Sequence, residues 1–437
     1  MRDMGRSDDP RVQAQLDRLS ELSIQRDILG LDAVLELLSR LGDPHKRLPP
    51  VFHVAGTNGK GSTCAFLRAM LEAQGYAVHV TTSPHLVRYN ERFRVAGKLI
   101  EDARLAKLLE EVFDAAEGLG CSFFEITIAA AFTEFARVPA DVCVVEVGLG
   151  GRLDATNVLE PEAVAACGIA ALGIDHERFL LAPEEGLPND PMARIAFEKA
   201  GIAKRGVPLV SMTSQHQQEA RDAIRQVAAT SGAKLIEQTN ALIEEQAFFS
   251  IDGQGVTADQ EGEVRNLLLL GKHQILNAAL ARDMLRSQDR LAIGEEAYLR
   301  GVRRAHWPAR MQVLKSGPLT VLTNDRDIWL DGGHNPSAGQ VISEWFDEPL
   351  HLILGMLDNK DPHSITDALG ERVQSLSIVP VPGHDAHPAE AFGPDAAARA
   401  DLEDALLNIP ADEHPILIAG SLYLAGEALR LNDEVPD

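Results

Sequence analysis

The segment at 56–63 reads GTNGKGST, and it lies between the apolar run VFHVA at 51–55 and the segment CAFLRAMLEAQG at 64–75. The apolar run predicts a strand, and the later segment has the periodicity of a helix that ends at a glycine. Glycines at such a junction let backbone amides approach phosphate oxygens, and the start of the helix attracts negative charge. Lys60 adds a cation, which we expect to be exposed on the loop. The segment therefore predicts a phosphate-binding loop.

The hydroxyl group of Ser62 or of Thr63 is a suitable ligand for the Mg²⁺ that accompanies a nucleoside triphosphate. The spacing departs from the GxxxxGK[ST] pattern, because Val54 stands at the first glycine position and Gly61 follows the lysine. An ordinary glycine turn after a strand is the alternative interpretation. The loop alone does not distinguish among NTPases, kinases, GTPases and ligases.

Strand-like runs alternate with helical segments along the chain. The runs lie at 78–82, 141–147 and 207–212, and a helical segment occupies 102–120. Such alternation predicts an α/β fold with a largely parallel sheet and helices on both faces. The first forty residues predict a helix, since apolar residues recur there at three- and four-residue steps. These apolar residues are Ile28, Leu31, Val34, Leu35 and Leu38.

The length of 437 residues predicts two or three domains, at about 150 residues each. A helical stretch at 291–302 precedes a second series of strand-like runs, which are IWLDGG, LHLILGM, LSIVPV and PILIAG. We therefore expect a boundary close to Gly301, which gives domains 1–300 and 301–437. Because no long linker separates them, we expect the two domains to pack with a cleft for ligands.

Composition excludes some classes of function. The formal charge of -24 leaves no broad cationic surface for nucleic acid. The longest uncharged stretches are too short to cross a membrane, and the N-terminal segment lacks the apolar core of a signal peptide. The four cysteines show no CxxC or zinc spacing, so we expect buried free thiols and a reducing, cytoplasmic location. We expect a monomer that binds small molecules.

Six motifs occur in a fixed order between Gly30 and Gly426: GTNGKGST, TSPHLVRYNERFRV, VEVGLGGRLDATN, FEKAGI, LDGGHNP and GSLYLAGE. Together they resemble the folylpolyglutamate synthase and dihydrofolate synthase family, which belongs to the Mur-type ligases. The resemblance implies a P-loop Mur-ligase-like ATPase domain at 1–300 and a smaller Rossmann-like α/β glutamate-ligase domain at 301–437. It also implies ATP and Mg²⁺ as cofactors.

The implied reaction is the ATP-dependent addition of L-glutamate to dihydropteroate, to the γ-carboxyl of folate glutamates, or to both. ATP would activate the carboxylate as an acyl phosphate, and the amine of glutamate would displace phosphate. Such chemistry needs bound phosphates, a metal and well-placed reactants, but no nucleophilic side chain. Three alternatives are a Mur-type ligase for another acid, a nucleotide-binding switch that ligates nothing, and a P-loop kinase.

Two side chains are candidate metal ligands. Glu146 ends the apolar run DVCVVEV, where a carboxylate is costly to bury unless it is paired or binds a metal. A salt bridge to an arginine such as Arg152 is the alternative. His176 follows another apolar run, although a histidine is an unusual ligand for Mg²⁺ and is more often structural. The resemblance implies that both bind metal. The implied metal ligands are Ser62, Ser83, Glu146 and His176.

Lys199 of FEKAGI is by default a solvated surface lysine. The resemblance implies instead a carbamylated lysine that acts in catalysis. The stretch between His176 and Lys199 is longer than the family pattern leads us to expect, so we expect an inserted acidic loop beside this site. The implied catalytic residues are Lys60, Glu146, His176 and Lys199.

The remaining positions match residues that bind the substrates in the family. The implied ATP-binding residues are Thr57, Asn58, Gly59, Lys60, Gly61, Ser62, Thr63, Asn277, Arg310 and Asp331. The implied residues for the pterin and glutamate are Arg92, Ser122, Phe124, Leu153, Asp154, His334 and Ser421. Asn277 has the alternative roles of an N-cap or an amide on a helix surface, and Phe124 is equally compatible with the core.

Overall fold

The computed structural model describes residues 7–22, 30–238, 256–258, 264–266, 269 and 271–436. Contacts divide the chain into two units, and each has its own sheet. The larger unit comprises Ser7–Ser83 and Arg92–Trp307. The smaller unit comprises Pro84–Glu91 and the chain from Pro308 onward. The division thus falls seven residues after the expected position at 300/301, and part of the TSPHLVRYNERFRV motif belongs to the smaller unit.

The larger unit contains an eight-stranded sheet. Its strands are β1 Val51–Ala55, β2 Val78–Thr81, β3 Arg94–Val95, β4 Lys98–Leu99, β5 Val142–Glu146, β6 Val164–Ile169, β7 Pro208–Ser211 and β8 Lys234–Glu237. Their order is β4-β3-β2-β5-β1-β6-β7-β8, and the six strands from β2 to β8 in this order pair in parallel. The sequence prediction of a largely parallel sheet is confirmed. A separate antiparallel pair consists of β9 Val256–Ala258 and β10 Val264–Asn266.

Helices surround this sheet. They are α1 Pro10–Glu21, α2 Asp32–Arg40, α3 Lys60–Gln74, α4 Asp102–Ala115, α5 Phe123–Arg137, α6 Glu177–Leu180, α7 Pro191–Ala200, α8 Gln218–Ser231, α9 Lys272–Ser287 and α10 Glu295–Arg304. The prediction of one helix over the first forty residues is wrong, since α1 ends at Glu21 and α2 begins at Asp32. Ile28 lies outside the described residues. Among these residues, no helix has both the length and the apolar character needed to span a bilayer.

The smaller unit contains a six-stranded sheet. Its strands are β11 Gln312–Val313, β12 Ile328–Leu330, β13 Leu350–Leu354, β14 Val373–Ile378, β15 Ala396–Ala398 and β16 Ile416–Ala419, in the order β11-β12-β16-β13-β14-β15. All neighbours pair in parallel except β11 and β12. The helices are α11 Pro318–Val321, α12 Pro336–Ser343, α13 Thr366–Leu369, α14 Leu402–Leu407 and α15 Leu422–Leu431.

Both faces of the second sheet are buried. On β16, Ile416 and Ile418 pack into one apolar cluster, whereas Leu417 and Ala419 pack into the other. Successive side chains of a strand point to opposite faces, so a continuous apolar run is the pattern of a strand that is covered on both sides. This explains why PILIAG and LHLILGM are apolar apart from His351.

The four cysteines are buried and free, as expected from their spacing. In the larger unit, α3, α9 and α10 share one apolar core with the central strands, which includes Phe66, Met70, Leu280 and Val302. The contact between α3 and α10 is close, because a Cβ atom at Gly301 would lie 2.4 Å from the Cα atom of Met70.

We predict that Gly301→Ala lowers the free energy of unfolding by about 1–3 kcal/mol, because the added methyl group forces the two helices apart. Urea unfolding followed by circular dichroism measures the change. Arg304→Ala on the exposed end of the same helix is the matched control, with an expected change within about 0.5 kcal/mol. Equal stability of Gly301→Ala and the wild type would contradict the close helix contact.

Candidate active site

The predicted phosphate-binding loop lies between β1 and α3. Gly59 precedes the first turn of α3 with a φ of 82°, in the left-handed region that glycine adopts without strain. The first intrahelical hydrogen bond runs from the Thr63 amide to the Gly59 carbonyl, at 2.8 Å. The amides of residues 60–62 thus belong to the first turn, where backbone donors have no partner within the helix. This is the geometry that binds anions.

Lys60 is half-buried, so the expectation that it is exposed is wrong. Its Nζ atom donates to the carbonyls of Gly56 at 3.0 Å and Thr57 at 3.2 Å. The hydroxyl of Thr57 in turn donates to the Gly173 carbonyl at 2.8 Å, which ties the loop to the segment after β6. The ammonium group is therefore held against the loop itself.

The structure distinguishes the two candidate hydroxyl groups. Thr63 Oγ1 donates to the Gly59 carbonyl at 2.8 Å. Ser62 Oγ is buried and has no hydrogen-bond partner among the described residues. A buried polar group without a partner costs free energy unless a ligand satisfies it. Ser62 is thus the hydroxyl group that fits a metal ion or a phosphate.

Two side chains from distant parts of the larger unit contact the glycines of the loop. A Cβ atom at Gly59 would lie 2.4 Å from Oδ1 of Asn277, and one at Gly61 would lie 2.6 Å from Nε1 of Trp307. Asn277 is buried inside α9, so its alternative roles as an N-cap or a surface amide are wrong. Trp307 was not identified from the sequence, because no pattern in its own segment indicates a contact with a loop more than 240 residues away.

The candidate metal ligands Ser83 and Glu146 lie together. The Ser83 amide donates to Oε2 of Glu146 at 3.1 Å, and Glu146 ends β5 as a buried residue. Arg152 pairs with Glu184 and Glu198, so the alternative of a salt bridge from Arg152 to Glu146 is wrong. The carboxylate and hydroxyl oxygens of this region are the hard donors that Mg²⁺ prefers.

His176 is half-buried and has a φ of 53°, which is uncommon for a residue other than glycine. Its Nε2 atom lies 4.0 Å from Oδ2 of Asp175. Across the described residues, no group of three or more His, Cys, Asp or Glu side chains has the arrangement of a metal site. A metal here would therefore need serine hydroxyls, phosphates or water besides Glu146.

Lys199 is buried, so its default assignment as a surface lysine is wrong. Burial, together with the positive charge of Lys60, lowers the pKa of Lys199 to about 7. The loop GLGGRLD, 148–154, packs on the end of α7 that carries this lysine. A Cβ atom at Gly151 would lie 2.9 Å from the carbonyl oxygens of both Glu198 and Lys199.

Asp154 is buried within this loop. Its carboxylate accepts hydrogen bonds from the Leu149 amide at 2.8 Å, from the Thr156 amide at 3.0 Å and from the Thr156 hydroxyl at 2.5 Å. Thr156 also contacts Nε2 of the fully buried His53 at 2.8 Å. Since the Thr156 hydroxyl donates to Asp154, it must accept from His53. Asp154 thus shapes the loop through its own hydrogen bonds.

The expected acidic loop between His176 and Lys199 contains α6 and the residues up to Asp190. Glu184 bridges Arg152 at 2.7 Å and Arg194 at 3.2 Å, and both arginines also pair with Glu198. Leu180 contacts Gly150. Arg152 and the apolar contact of Leu180 therefore join this loop to the 148–154 loop, whereas Arg194 joins it to α7.

The candidate pterin and glutamate residues of the larger unit have different surroundings. Phe124 packs against Gly148, since a Cβ atom there would lie 2.5 Å from its ring. Ser122 is the exposed N-cap of α5, in a capping box with Glu125, and Leu153 is half-buried. Arg92 is buried, with its guanidinium 5.3 Å from the centre of the Phe123 ring.

Three candidates of the smaller unit, Asp331, His334 and Ser421, lie in loops at the carboxyl ends of β12 and β16, and the fourth, Arg310, precedes β11. Asp331 is buried, and its carboxylate accepts from the amides of Met311 at 2.9 Å and Gly333 at 2.7 Å. Burial raises the pKa of Asp331, while the charge of Arg310 opposes this. The Gly420 amide donates to the Gly333 carbonyl at 2.9 Å, which joins the two loops.

His334 and Ser421 follow these two strands. His334 Nδ1 donates to the Gly332 carbonyl at 3.1 Å. Ser421 is the buried N-cap of α15, and its hydroxyl accepts from the Tyr423 amide at 3.1 Å. The structure therefore places Asp331, His334 and Ser421 at one edge of the second sheet, where open α/β folds bind ligands.

The fold and the phosphate loop define a Mur-ligase-like ATP-binding protein. No family model matches the chain. A curated folylpolyglutamate synthase of Lacticaseibacillus casei is 32% identical over 416 residues, which cover 90% of this chain and 92% of that protein. The chain belongs to the folylpolyglutamate synthase/dihydrofolate synthase family.

A solved structure and a longer relative extend this comparison. Escherichia coli FolC in complex with DHPP and ADP superposes with a TM-score of 0.78 at 28% identity, and the match covers 97% of each chain. A probable bifunctional folylpolyglutamate synthase/dihydropteroate synthase of Halobacterium salinarum is 32% identical over 424 residues, which cover 91% of this chain. The chain spans about half the length of that relative, at 49%.

We predict that Lys199→Met raises the free energy of unfolding at pH 7. The pKa of this lysine is 10.5 in the unfolded chain, whereas burial lowers its pKa to about 7 in the folded protein. Between these values only the unfolded state is protonated, so the stability of the wild type rises with pH. The advantage of methionine should exceed about 1 kcal/mol at pH 7 and shrink toward pH 10.

Urea unfolding in bicarbonate-free buffer at pH 7 and pH 10 measures this difference. Lys234→Met, at an exposed position on β8, is the control and should show no such pH dependence. A constant difference between Lys199→Met and the wild type across this range would show that Lys199 titrates normally.

Proposed function

We propose that the chain is an ATP-dependent ligase that adds L-glutamate to dihydropteroate, to the γ-carboxyl of folate glutamates, or to both, through an acyl phosphate. The observation that carries the proposal is the loop between β1 and α3, with Lys60 and the buried Ser62 hydroxyl at the start of the helix. The family relationship supports the choice of a ligase over a kinase or a switch.

The activation step forms one bond and breaks another. An oxygen of the acceptor carboxylate attacks the γ-phosphorus of ATP, and ADP leaves with the electron pair of the broken P–O bond. Lys60 and the first amides of α3 stabilise the negative charge on the transferred group. We propose that Asn277 contacts the adenine, and that Arg310 and Asp331 also bind ATP. The other ATP-binding residues are Thr57, Asn58, Gly59, Gly61, Ser62 and Thr63.

The oxygen donors at the ends of β1, β2 and β5 fit Mg²⁺. We propose that Ser62 holds the ion at the phosphates and that Ser83, Glu146 and His176 hold a second one. Mg²⁺ would neutralise the negative charge that develops on the phosphates. The Ser83 amide holds the Glu146 carboxylate in place through its hydrogen bond.

Lys199 is the candidate for carbamylation. Its lowered pKa leaves a large neutral fraction at pH 7, and a neutral amine can add to carbon dioxide with loss of one proton. The product is an anion in a region that already contains the cation Lys60. We propose that this anion supports the second metal ion.

The second step is attack of the glutamate amine on the acyl phosphate. The neutral amine forms the C–N bond, phosphate leaves with the electrons of the C–O bond, and the nitrogen loses one proton to water. We propose that Phe124, Ser122 and the 148–154 loop, with Leu153 and Asp154, bind the pterin. Asp154 acts there by shaping the loop, since its carboxylate is occupied by Leu149 and Thr156.

We propose that Arg92, His334 and Ser421 bind glutamate. An arginine suits a carboxylate, because its planar fork donates two charge-assisted hydrogen bonds. Domains 1–300 and 301–437 remain our proposal for the ATP-binding and glutamate-ligase functions. We also propose a cytoplasmic monomer, because all the expected substrates are small soluble molecules.

An acceptor comparison tests the proposed function. Purified protein is incubated with ATP, Mg²⁺ and radiolabelled L-glutamate, and with dihydropteroate, tetrahydrofolate or a UDP-linked acid. We expect labelled amide with one or both pterin acceptors. Amide with only the UDP-linked acid would assign another Mur-type activity. Release of phosphate at a rate that depends on no acceptor would indicate a nucleotide-binding switch. A phosphorylated product without amide would indicate a kinase.

We predict that Lys60→Ala lowers kcat for ligation by at least about a hundredfold, because it removes a cation from the charge that develops on the transferred phosphoryl group. Steady-state kinetics with the best acceptor measure the loss. Circular dichroism and thermal unfolding establish that the variant folds. Lys98→Ala, at an exposed residue of β4, is the control and should retain full activity. Normal turnover of Lys60→Ala would remove the assigned phosphate role.

A further inference from the structure

His384 lies in the loop that follows β14 in the smaller unit. Its ring stacks on the ring of Tyr423, with 3.9 Å between the centroids and 22° between the planes. Tyr423 is in the first turn of α15, and its amide donates to the hydroxyl of Ser421, the candidate glutamate residue. The stack therefore places the imidazole beside the turn that contains Ser421.

The loop of His384 is joined to the neighbouring loop after β13. The Asp358 amide donates to the Asp385 carbonyl at 3.3 Å, and the His387 amide donates to the Met356 carbonyl at 2.9 Å. His387 Nε2 also donates to the Lys360 carbonyl at 2.7 Å. Because β12, β16, β13 and β14 are parallel, their following loops form one edge of the sheet. His384 belongs to the same edge as His334 and Ser421.

The hydrogen bonds fix the tautomer of the neutral His384 ring. Nδ1 lies 2.8 Å from the carbonyl oxygen of Pro382, which can only accept, so Nδ1 carries the proton. Nε2 is then a hydrogen-bond acceptor. It is buried and has no partner among the residues that the structure describes. An acceptor without a donor in such a place costs free energy that a ligand N–H group would recover.

A ligand that satisfies this atom must bring a donor. The incoming amino acid has one, since its α-ammonium group carries three N–H bonds. Asp358 and Asp385 are exposed on the two joined loops and add negative charge that attracts a cation. We propose that Nε2 of His384 accepts a hydrogen bond from the α-amino group of the incoming amino acid. This rests on the proposed function and adds an amine-binding residue to it.

The test separates the imidazole nitrogen from the ring stack. His384→Phe keeps an aromatic ring on Tyr423 but removes the acceptor, whereas His384→Gln offers an amide oxygen as a substitute acceptor. Hydrogen bonds to charged groups are strong, so we expect His384→Phe to raise KM for L-glutamate roughly tenfold to a hundredfold. His384→Gln should recover part of this loss. His363→Phe, at an exposed residue of the same unit, is the control.

Two further readouts distinguish amine binding from a structural role. KM for ATP should stay within about twofold of the wild type, because phosphate binding does not involve this loop. Hydroxylamine added in place of glutamate traps the acyl phosphate as a hydroxamate, and this rate should be equal in His384→Phe and the wild type. A structural defect would lower every rate and the thermal stability together.

The outcomes are separable. An active wild type beside a His384→Phe variant with an unchanged KM for glutamate would overturn the inference and leave the proposed function standing. Parallel losses in hydroxamate formation and glutamate ligation would overturn it as well. A wild type that forms neither amide nor hydroxamate with any acceptor would refute the proposed function, and the inference with it.

Discussion

The turn between β1 and α3 leaves no room for side chains at its three glycines, and the surrounding structure is arranged about this constraint. Added Cβ atoms at Gly56, Gly59 and Gly61 would lie within 2.8 Å of Ala170, Asn277 and Trp307. Ala170 follows β6, Asn277 lies in α9, and Trp307 is the last residue of the larger unit. The loop is therefore enclosed by parts of the chain that are far apart in sequence, which holds its backbone amides in one conformation before any ligand binds.

Preorganisation of this kind matters because the proposed chemistry uses no nucleophilic side chain. Its rate would depend on how well donors and cations are aligned with the developing charge. The structure fixes these groups with hydrogen bonds that are internal to the larger unit. Lys60 is held by the carbonyls of its own loop, and Glu146 is held by the Ser83 amide.

Hydrogen bonds within the larger unit also hold the 148–154 loop in place. His53 donates to Thr156, which donates to Asp154, and Asp154 accepts from the Leu149 amide. On its other side the backbone of Arg152 donates to the Glu198 carbonyl at 2.7 Å. Position 151 must be glycine for this approach, because two carbonyl oxygens occupy the space of a side chain. Gly151 of the GLGG motif is thus explained by packing against α7.

The sequence was sufficient to predict those features that depend on contacts between residues close together in the chain. The apolar runs specified the buried strands, and the glycines before Lys60 specified the loop, since both depend on neighbours along the chain. It was insufficient to predict the environment of a side chain whose neighbours come from distant parts of the chain. Lys199 has the sequence surroundings of a surface lysine, but it is buried in the structure, where the 148–154 loop packs on the end of its helix. Likewise, Arg152 finds its partners 32 and 46 residues away, and no spacing reveals the stack of His384 on Tyr423.

The charges of the larger unit show why a buried lysine belongs near the phosphate loop of an acidic protein. A chain with a net charge of -24 repels ATP at long range, so local cations must attract it. Two cations close together in a buried place repel each other, and this repulsion together with burial lowers the pKa of Lys199 to about 7. Near pH 7 a large fraction of Lys199 is therefore the neutral amine. A neutral amine neither competes for phosphate nor repels a metal ion, and addition of carbon dioxide would convert it into an anion that attracts one. The same burial that makes Lys199 destabilising thus supplies the neutral amine that the proposed carbamylation requires.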